Sequence, residues 1–292
     1  MDIHCYTIDP DPKKITHMND ILVITVNYKN TIITENFIHS LENLDSSDKV
    51  ELIVVDSAST PKTKEILQSL LQNSKLKTLL IDSSRNTFYW GGIALALHRL
   101  DLNYANGPSW IIACNNDILF TQKDFLKKLI ALDPDKYPVI GPTIYSSVTR
   151  KNLNPAIAKP INIFGKFYYS ILFINPKTAR LIQIIRIMTQ KLFYSVFKRS
   201  APKSGKIYAP HGSFMIFSKH FFTGGGWIDD NFKLYGEEIS TAEIALNNNL
   251  EIHYLPQLEV SHVEHSSTGT NIWQDWFYHA KETYKYLKKA YL

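Results

Sequence analysis

Residues 21–56 read ILVITVNYKNTIITENFIHSLENLDSSDKVELIVVD, and this stretch decides the fold. Two apolar runs rich in Ile, Val and Leu, 21–26 and 50–55, bracket a segment of helical pattern, 31–44. Runs without polar alternation suit strands that are buried on both faces. The same order continues downstream, where 77–81 and 110–114 read as strands and 61–72, 92–102 and 121–132 read as helices. Pro61 after Ser59 and Thr60, and Thr121 ahead of Asp124, mark helix starts. This alternation predicts an α/β chain with a Rossmann-like, mostly parallel sheet and helices on both faces. Such sheets hold their ligands beyond the carboxyl ends of the strands. Asn27, Asp56 and Asp117 fall at or just past three of those ends.

The chain has 292 residues and 45% hydrophobic content, enough to bury a full core as one large domain. The start, 1–20, is polar and carries four aspartates, unlike the basic and then apolar start of a signal peptide. No run approaches the roughly 18 to 20 apolar residues of a membrane span. Cys5 and Cys114 are the two cysteines, which excludes a disulfide framework or a cysteine-cluster metal site. A cytoplasmic location is the expectation.

The net charge of +5 conceals a block. From residue 136 to 228 there are 14 Lys or Arg and no Asp or Glu, whereas the rest of the chain has a net charge of −9. An anionic partner fits such a block, as does a solvated basic face. Within it the β-α alternation breaks down over 150–206, an insertion rich in aromatic, Ile and basic residues. Segment 176–199 reads as a basic amphipathic helix with Leu181, Ile184, Ile185, Met188, Leu192 and Val196 on one face. That pattern suits either a membrane surface or an ordinary core helix. The C-terminal 272–292 repeats it, with Trp273, Trp276, Phe277, Tyr284 and Leu287 beside Lys281, Lys285, Lys288 and Lys289. A membrane contact or a homodimer contact is expected of that helix.

Several short motifs occur in a telling order: Thr25 to Tyr28, Val54 to Ser59, Asn86 to Gly92, Asn115-Asn116-Asp117, and 211–267 with Gly236-Glu237-Glu238 and Ser261-His262. Together they resemble a family 2 glycosyltransferase with a GT-A fold, in its bacterial capsule and surface-polysaccharide branch. The resemblance covers about residues 20–268 and is weakest over the insertion. It divides the single domain, 1–292, into a nucleotide-sugar-binding half, 20–135, an acceptor and catalytic half, 136–268, and a C-terminal helix, 269–292.

The resemblance also implies roles. Asp56 would contact the base or ribose of the donor, since a carboxylate accepts from an imide N–H or a hydroxyl. Asn115, Asn116 and Asp117 stand where the family has its DXD motif, with the amide Asn115 replacing the first carboxylate. Asp117 is then the expected ligand of a divalent ion, Mn²⁺ or Mg²⁺, with His262 completing the pair and Glu264 or His265 as alternates. Asn27, Asn86, Asn116 and His211 are expected at the donor. Trp90 with Gly91 and Gly92 would offer the sugar a platform, and Trp227 after Gly224 to Gly226 another. Glu237 and Glu238 match the acidic pair that supplies the catalytic base, with Glu238 favoured and Glu237 binding acceptor or orienting the loop.

The expected activity is inverting transfer from a nucleotide diphosphate sugar to a lipid-linked glycan, with a UDP-sugar favoured and dTDP-rhamnose as the alternative. A peripheral position on the inner membrane face is implied, with no nucleic acid as partner. Two rivals remain: another metal-dependent nucleotide-binding transferase, and a non-enzymatic membrane- or nucleic-acid-binding module. The first usually needs a glycine- and lysine-rich phosphate loop, which Lys29 and Asn30 do not make.

Overall fold

The computed structural model describes residues 20–194, 203–264 and 272–292. The polar start, the 195–199 end of the predicted basic helix, and His265 to Ser267 lie outside the described residues. In chain order the elements are β1 (Ile21–Asn27), α1 (Thr31–Glu42), β2 (Val50–Ser57), α2 (Pro61–Gln72), β3 (Lys77–Ser83), α3 (Phe88–Leu100), β4 (Trp110–Cys114), β5 (Ile118–Leu119) and α4 (Phe125–Ile130). There follow β6 (Val139–Ser146), α5 (Ile163–Leu172), α6 (Pro176–Tyr194), β7 (Gly205–Lys206), β8 (Phe214–Ser218), α7 (Lys219–Thr223), α8 (Glu237–Asn247), β9 (Ile252–His262) and α9 (Ile272–Ala290).

The strands form one sheet in the order β3-β2-β1-β4-β8-β6-β9-β5, with β7 paired to β9. The expected parallel pairing holds across β3, β2, β1 and β4. Beyond β4 the sheet is mixed, because β8 enters antiparallel between β4 and β6 while β6 and β9 run parallel. Alternate residues of β1 feed two cores, Ile21 and Val23 on one face and Leu22, Ile24 and Val26 on the other. Both faces are covered, which is why the strand sequences lack polar alternation. Glu51 is a polar residue near the start of β2, and Lys77 Nζ meets its carboxylate at 2.9 Å.

Most boundaries follow local signals. The Thr60 Oγ1 accepts from the Thr63 N–H at 3.3 Å and Pro61 opens α2, as a capped helix start requires. Two expectations need correction. α3 starts at Phe88, four residues ahead of the predicted start, with its glycines inside the helix. A Cβ on Gly92 would lie 2.5 Å from Val26 Cγ2, so glycine lets the first turn of α3 press onto β1. α4 is shorter than the predicted 121–132, and Thr121 is not its cap. Gln122 is drawn aside, donating to the Gln257 carbonyl at 2.9 Å and accepting from the Glu259 N–H at 2.8 Å, while Asp124 pairs with Lys128.

The insertion forms a helical hairpin, α5 and α6, packed on α9. Leu172, Phe173 and Ala179 meet Phe277, Ala280 and Tyr284 in a third apolar cluster. Phe277, Tyr284 and Leu287 are therefore buried inside the chain, while Tyr278 of the same helix is 59% exposed. In α6 the outcome is reversed. Leu181, Ile184, Ile185 and Met188 are exposed, so this row is not the core face of an ordinary packed helix. No described helix is long and apolar enough to cross a membrane.

Candidate active site

The parallel strands end level with one another, because register sets Asn27 opposite Asp56 and Asp56 opposite Asp82. β1 and β2 are each followed by a left-handed residue, Lys29 (φ 65°) and Ala58 (φ 54°), and a third, Phe88 (φ 57°), opens α3. Non-glycine residues in this region cost energy, and such turns cluster at functional sites. A chain of hydrogen bonds joins the strand ends. Asn116 Nδ2 donates to Thr34 Oγ1 at 2.9 Å, and Thr34 Oγ1 donates to Asn27 Oδ1 at 2.8 Å. Asn27 Nδ2 in turn makes a long 3.4 Å contact to Asp56 Oδ1.

Asp56 is 1% exposed, and its Oδ2 is buried without a hydrogen-bond partner. Burial raises its pKa above the usual carboxylate value, against hydrogen bonds from Ser59 and Asn27 that lower it. An unsatisfied buried acceptor of this kind suits a ligand N–H or O–H. Asn86 flanks it, with Oδ1 accepting from Ser57 Oγ at 3.2 Å and from the Phe88 N–H at 2.8 Å. Gly91 is half-buried in the first turn of α3. Trp90 needs correction. It is 1% exposed and packs between Tyr89 and Phe217 in the core, so its ring presents no face to a sugar. Trp227 is 45% exposed and keeps an accessible ring.

Asp117 follows β4, and β5 pairs antiparallel with the end of β9, setting Ile118 opposite His262. His262 Nε2 and Asp117 Oδ1 come to 3.0 Å, both residues being buried. Two ligand atoms at right angles, each about 2.1 Å from one ion, lie about 3.0 Å apart, so the pair fits one divalent cation. A carboxylate with an imidazole suits Mn²⁺ and tolerates Mg²⁺. Among the described residues no cluster of three such side chains forms.

His211 lies beside His262, with ring centroids 6.2 Å apart. The His211 N–H is fixed by Asn154 Oδ1 at 2.7 Å. The Ser213 N–H donates to His211 Nδ1 at 3.2 Å, which makes Nδ1 the acceptor and leaves the ring proton on Nε2. Burial lowers the His211 pKa, with Glu238 opposing and His262 reinforcing the shift. Glu264 also lies within electrostatic reach of His211.

The two glutamates at the start of α8 diverge. Glu237 Oε2 turns back to accept from the Gly236 N–H at 2.6 Å, so it caps its own helix. Burial, and then the charge of Glu238, push its pKa up to about 8. Glu238 Oε1 accepts from the Gly212 N–H at 3.0 Å, and the residue lines a cavity of about 590 Å³. His211 and Tyr235 share that polar end, while Tyr169, Phe173, Trp276 and Tyr284 wall the rest. Gly212 permits the approach, since a Cβ there would lie 2.6 Å from Glu237 Cγ and 2.8 Å from Glu238 Oε1.

Tyr89 was not singled out by sequence reasoning. Its hydroxyl is buried without a partner, and its pKa is raised by burial and by the charges of Cys114, Glu237, Glu238 and Asp117. It therefore stands among the acidic groups of the site. Its position inside the Asn86 to Gly92 motif, beside Trp90, was the available signal.

A parallel half-sheet continued by a mixed half, with helices on both faces, matches the fold of GT-A glycosyltransferases. The Glycosyl transferase family 2 model matches residues 20–201, and the chain belongs to that family. Solved structures agree on the fold. The mannosyltransferase PcManGT from Pyrobaculum calidifontis, solved with GDP-Man and Mn²⁺, is 16% identical with a TM-score of 0.52, over 93% of this chain and 63% of that one. TarS of S. aureus gives 16% identity and 0.53 over 84% and 36% of the two chains. GalNAc-T7, solved with UDP, GalNAc and Mn²⁺, gives 12% and 0.56 over 88% and 46%. The chain thus spans less than two thirds of each of these relatives. No curated protein sequence matches it.

Proposed function

We propose that the protein is an inverting, metal-assisted glycosyltransferase that moves a sugar from a nucleotide diphosphate sugar to a hydroxyl of a lipid-linked glycan, in bacterial capsule or surface-polysaccharide synthesis. The observation that carries this reading is the Asp117–His262 pair at 3.0 Å, with Glu238 lining a cavity that His211 also lines. The 20–135 half holds the donor and the 136–268 half presents the acceptor. Asp56 accepts from the base, and the imide N–H of uracil or thymine fits its unpaired oxygen. The Mn²⁺ complexes of PcManGT and GalNAc-T7 support a divalent ion, for which Asp117 and His262 are the holders. Such an ion offsets the charge that grows on the leaving diphosphate.

Glu238 takes the proton of the acceptor hydroxyl as its oxygen bonds to the anomeric carbon, while the bond from that carbon to the nucleotide diphosphate breaks. The backbone N–H of Gly212 holds the carboxylate in place, and neutral His211 spaces it from His262. Glu237, committed to its own helix start, orients the loop. The acceptor's apolar portion enters along the aromatic wall of the cavity, from a protein peripheral on the inner membrane face.

Thermal stabilisation by UDP, dTDP, GDP and CMP, each with Mn²⁺, Mg²⁺ or EDTA, tests the donor site in wild type and Asp117→Ala. A metal-dependent shift with one nucleotide, lost in the variant, is expected. No shift with any nucleotide sinks the reading.

A further inference from the structure

The α5–α6 hairpin has two sides of different character. Its inner side is spent on α9 and on the cavity, through Tyr169, Leu172, Phe173 and Ala179. On the outer side of α5, Ile163, Phe164 and Phe167 are 75%, 78% and 67% exposed. On α6, Leu181, Ile184 and Met188 are exposed as well. Both helices turn their inner sides to α9, so these rows lie away from it. Lys159, Lys177 and Arg180 are exposed among them. No acidic residue occurs from 136 to 228.

We propose that the outer face of the α5–α6 hairpin docks on an anionic lipid bilayer, lying in the headgroup region. Three candidate occupants differ in what they offer this face. A second copy would set one acid-free basic block against another, which like-charge repulsion opposes. A nucleic acid meets the charge but gives Phe164 and Phe167 nothing apolar to enter. An anionic bilayer supplies acyl chains for the aromatic and aliphatic row and phosphates for the lysines and arginine. The proposal deepens the lipid-linked acceptor reading, because α5 itself separates the cavity that reaches Glu238 from the exposed row.

The full chain is sedimented with phosphatidylcholine vesicles, with and without phosphatidylglycerol. Wild type is expected to pellet with the anionic vesicles and to be released partly by high salt. Phe164→Glu/Phe167→Glu is expected to lose binding by about tenfold or more, and Lys177→Glu/Arg180→Glu to lose the preference for anionic lipid. Leu181→Glu/Met188→Glu serves if the first pair does not fold, with folding checked by circular dichroism. The proposal is overturned by wild type that stays in the supernatant, by glutamate variants that pellet as wild type does, or by a dimer broken by these variants without vesicle binding. The nucleotide shift is scored separately in wild type. Its failure counts against the transferase reading alone, since vesicle binding needs no donor.

Discussion

Asp117 Oδ1 stands 3.0 Å from His262 Nε2 across 145 residues of sequence. The contact is made by the backbone: β5 pairs with the end of β9, and the Val263 N–H donates to the Asp117 carbonyl at 2.9 Å. Two buried side chains are thus clamped within hydrogen-bond distance of each other.

His262→Ala and Asp117→Asn should each remove the Mn²⁺-dependent part of nucleotide stabilisation while leaving a metal-independent remainder through Asp56. The expected loss is at least tenfold in nucleotide affinity, about 1.4 kcal/mol. Calorimetric titration with Mn²⁺ and with EDTA reads it directly. Equal affinity in both conditions would remove the pair from the metal site.

Glu238→Gln should abolish proton abstraction without disturbing the donor. Release of nucleotide diphosphate in the presence of acceptor should fall by about 10²- to 10⁴-fold, the usual worth of a general base. Nucleotide-induced thermal shifts should be unchanged. If Glu237→Gln instead carries the larger loss, the roles of the two acids are exchanged.

Glu237 has a pKa raised from 4.5 to about 8, so the folded state holds a proton that the unfolded chain has released. Its stabilising effect is complete below about pH 4.5 and is lost as pH rises through about 8. Wild type should therefore lose stability across that window, by an amount on the order of 1–3 kcal/mol once local relaxation is allowed for. Glu237→Gln should flatten the curve. Denaturant unfolding at pH 5, 7 and 9 (test conditions within and about this window) measures the difference, and parallel curves for the two proteins would contradict the assignment.

Gly212→Ala should damage both fold and function. The added Cβ must displace Glu237 and Glu238, since the gaps are 2.6 and 2.8 Å. A loss of about 1–3 kcal/mol is expected from such overpacking, together with slower turnover because the Gly212–Glu238 hydrogen bond is strained. A variant with wild-type melting and rate would mean that α8 shifts freely.

Asp56→Asn should trade binding for stability. Removing a buried charge with an unpaired oxygen is expected to raise unfolding stability by about 1 kcal/mol at neutral pH, since burial already lifts its pKa. Nucleotide affinity should drop in the same variant. Melting curves with and without UDP separate the two effects.

How much was legible in the sequence depended on whether neighbours or distant contacts set each feature. β4 and α2 match their expected limits, because the run 110–114 is apolar between polar turns and Thr60 with Pro61 caps a helix locally. Asn27, Asp56 and Asp117 could be placed at strand ends for the same reason: a buried strand terminates where the chain turns polar. The family resemblance added His262, His211, Glu237 and Glu238, whose separations no local rule connects.

Tertiary packing decided the remainder. Trp90 became core because Gly92 lets α3 settle against Val26, a contact between segments far apart in the chain. Two amphipathic helices of similar composition met opposite fates: α9 found partners in Leu172 and Phe173, while the outward row of α6 found none among the described contacts. Hydrophobic periodicity tells which residues share a face, but only the assembled fold decides what that face meets. The resemblance already favoured Glu238 over Glu237, but which of the two side chains reaches the cavity was set by geometry, since adjacent residues on a helix start point about 100° apart.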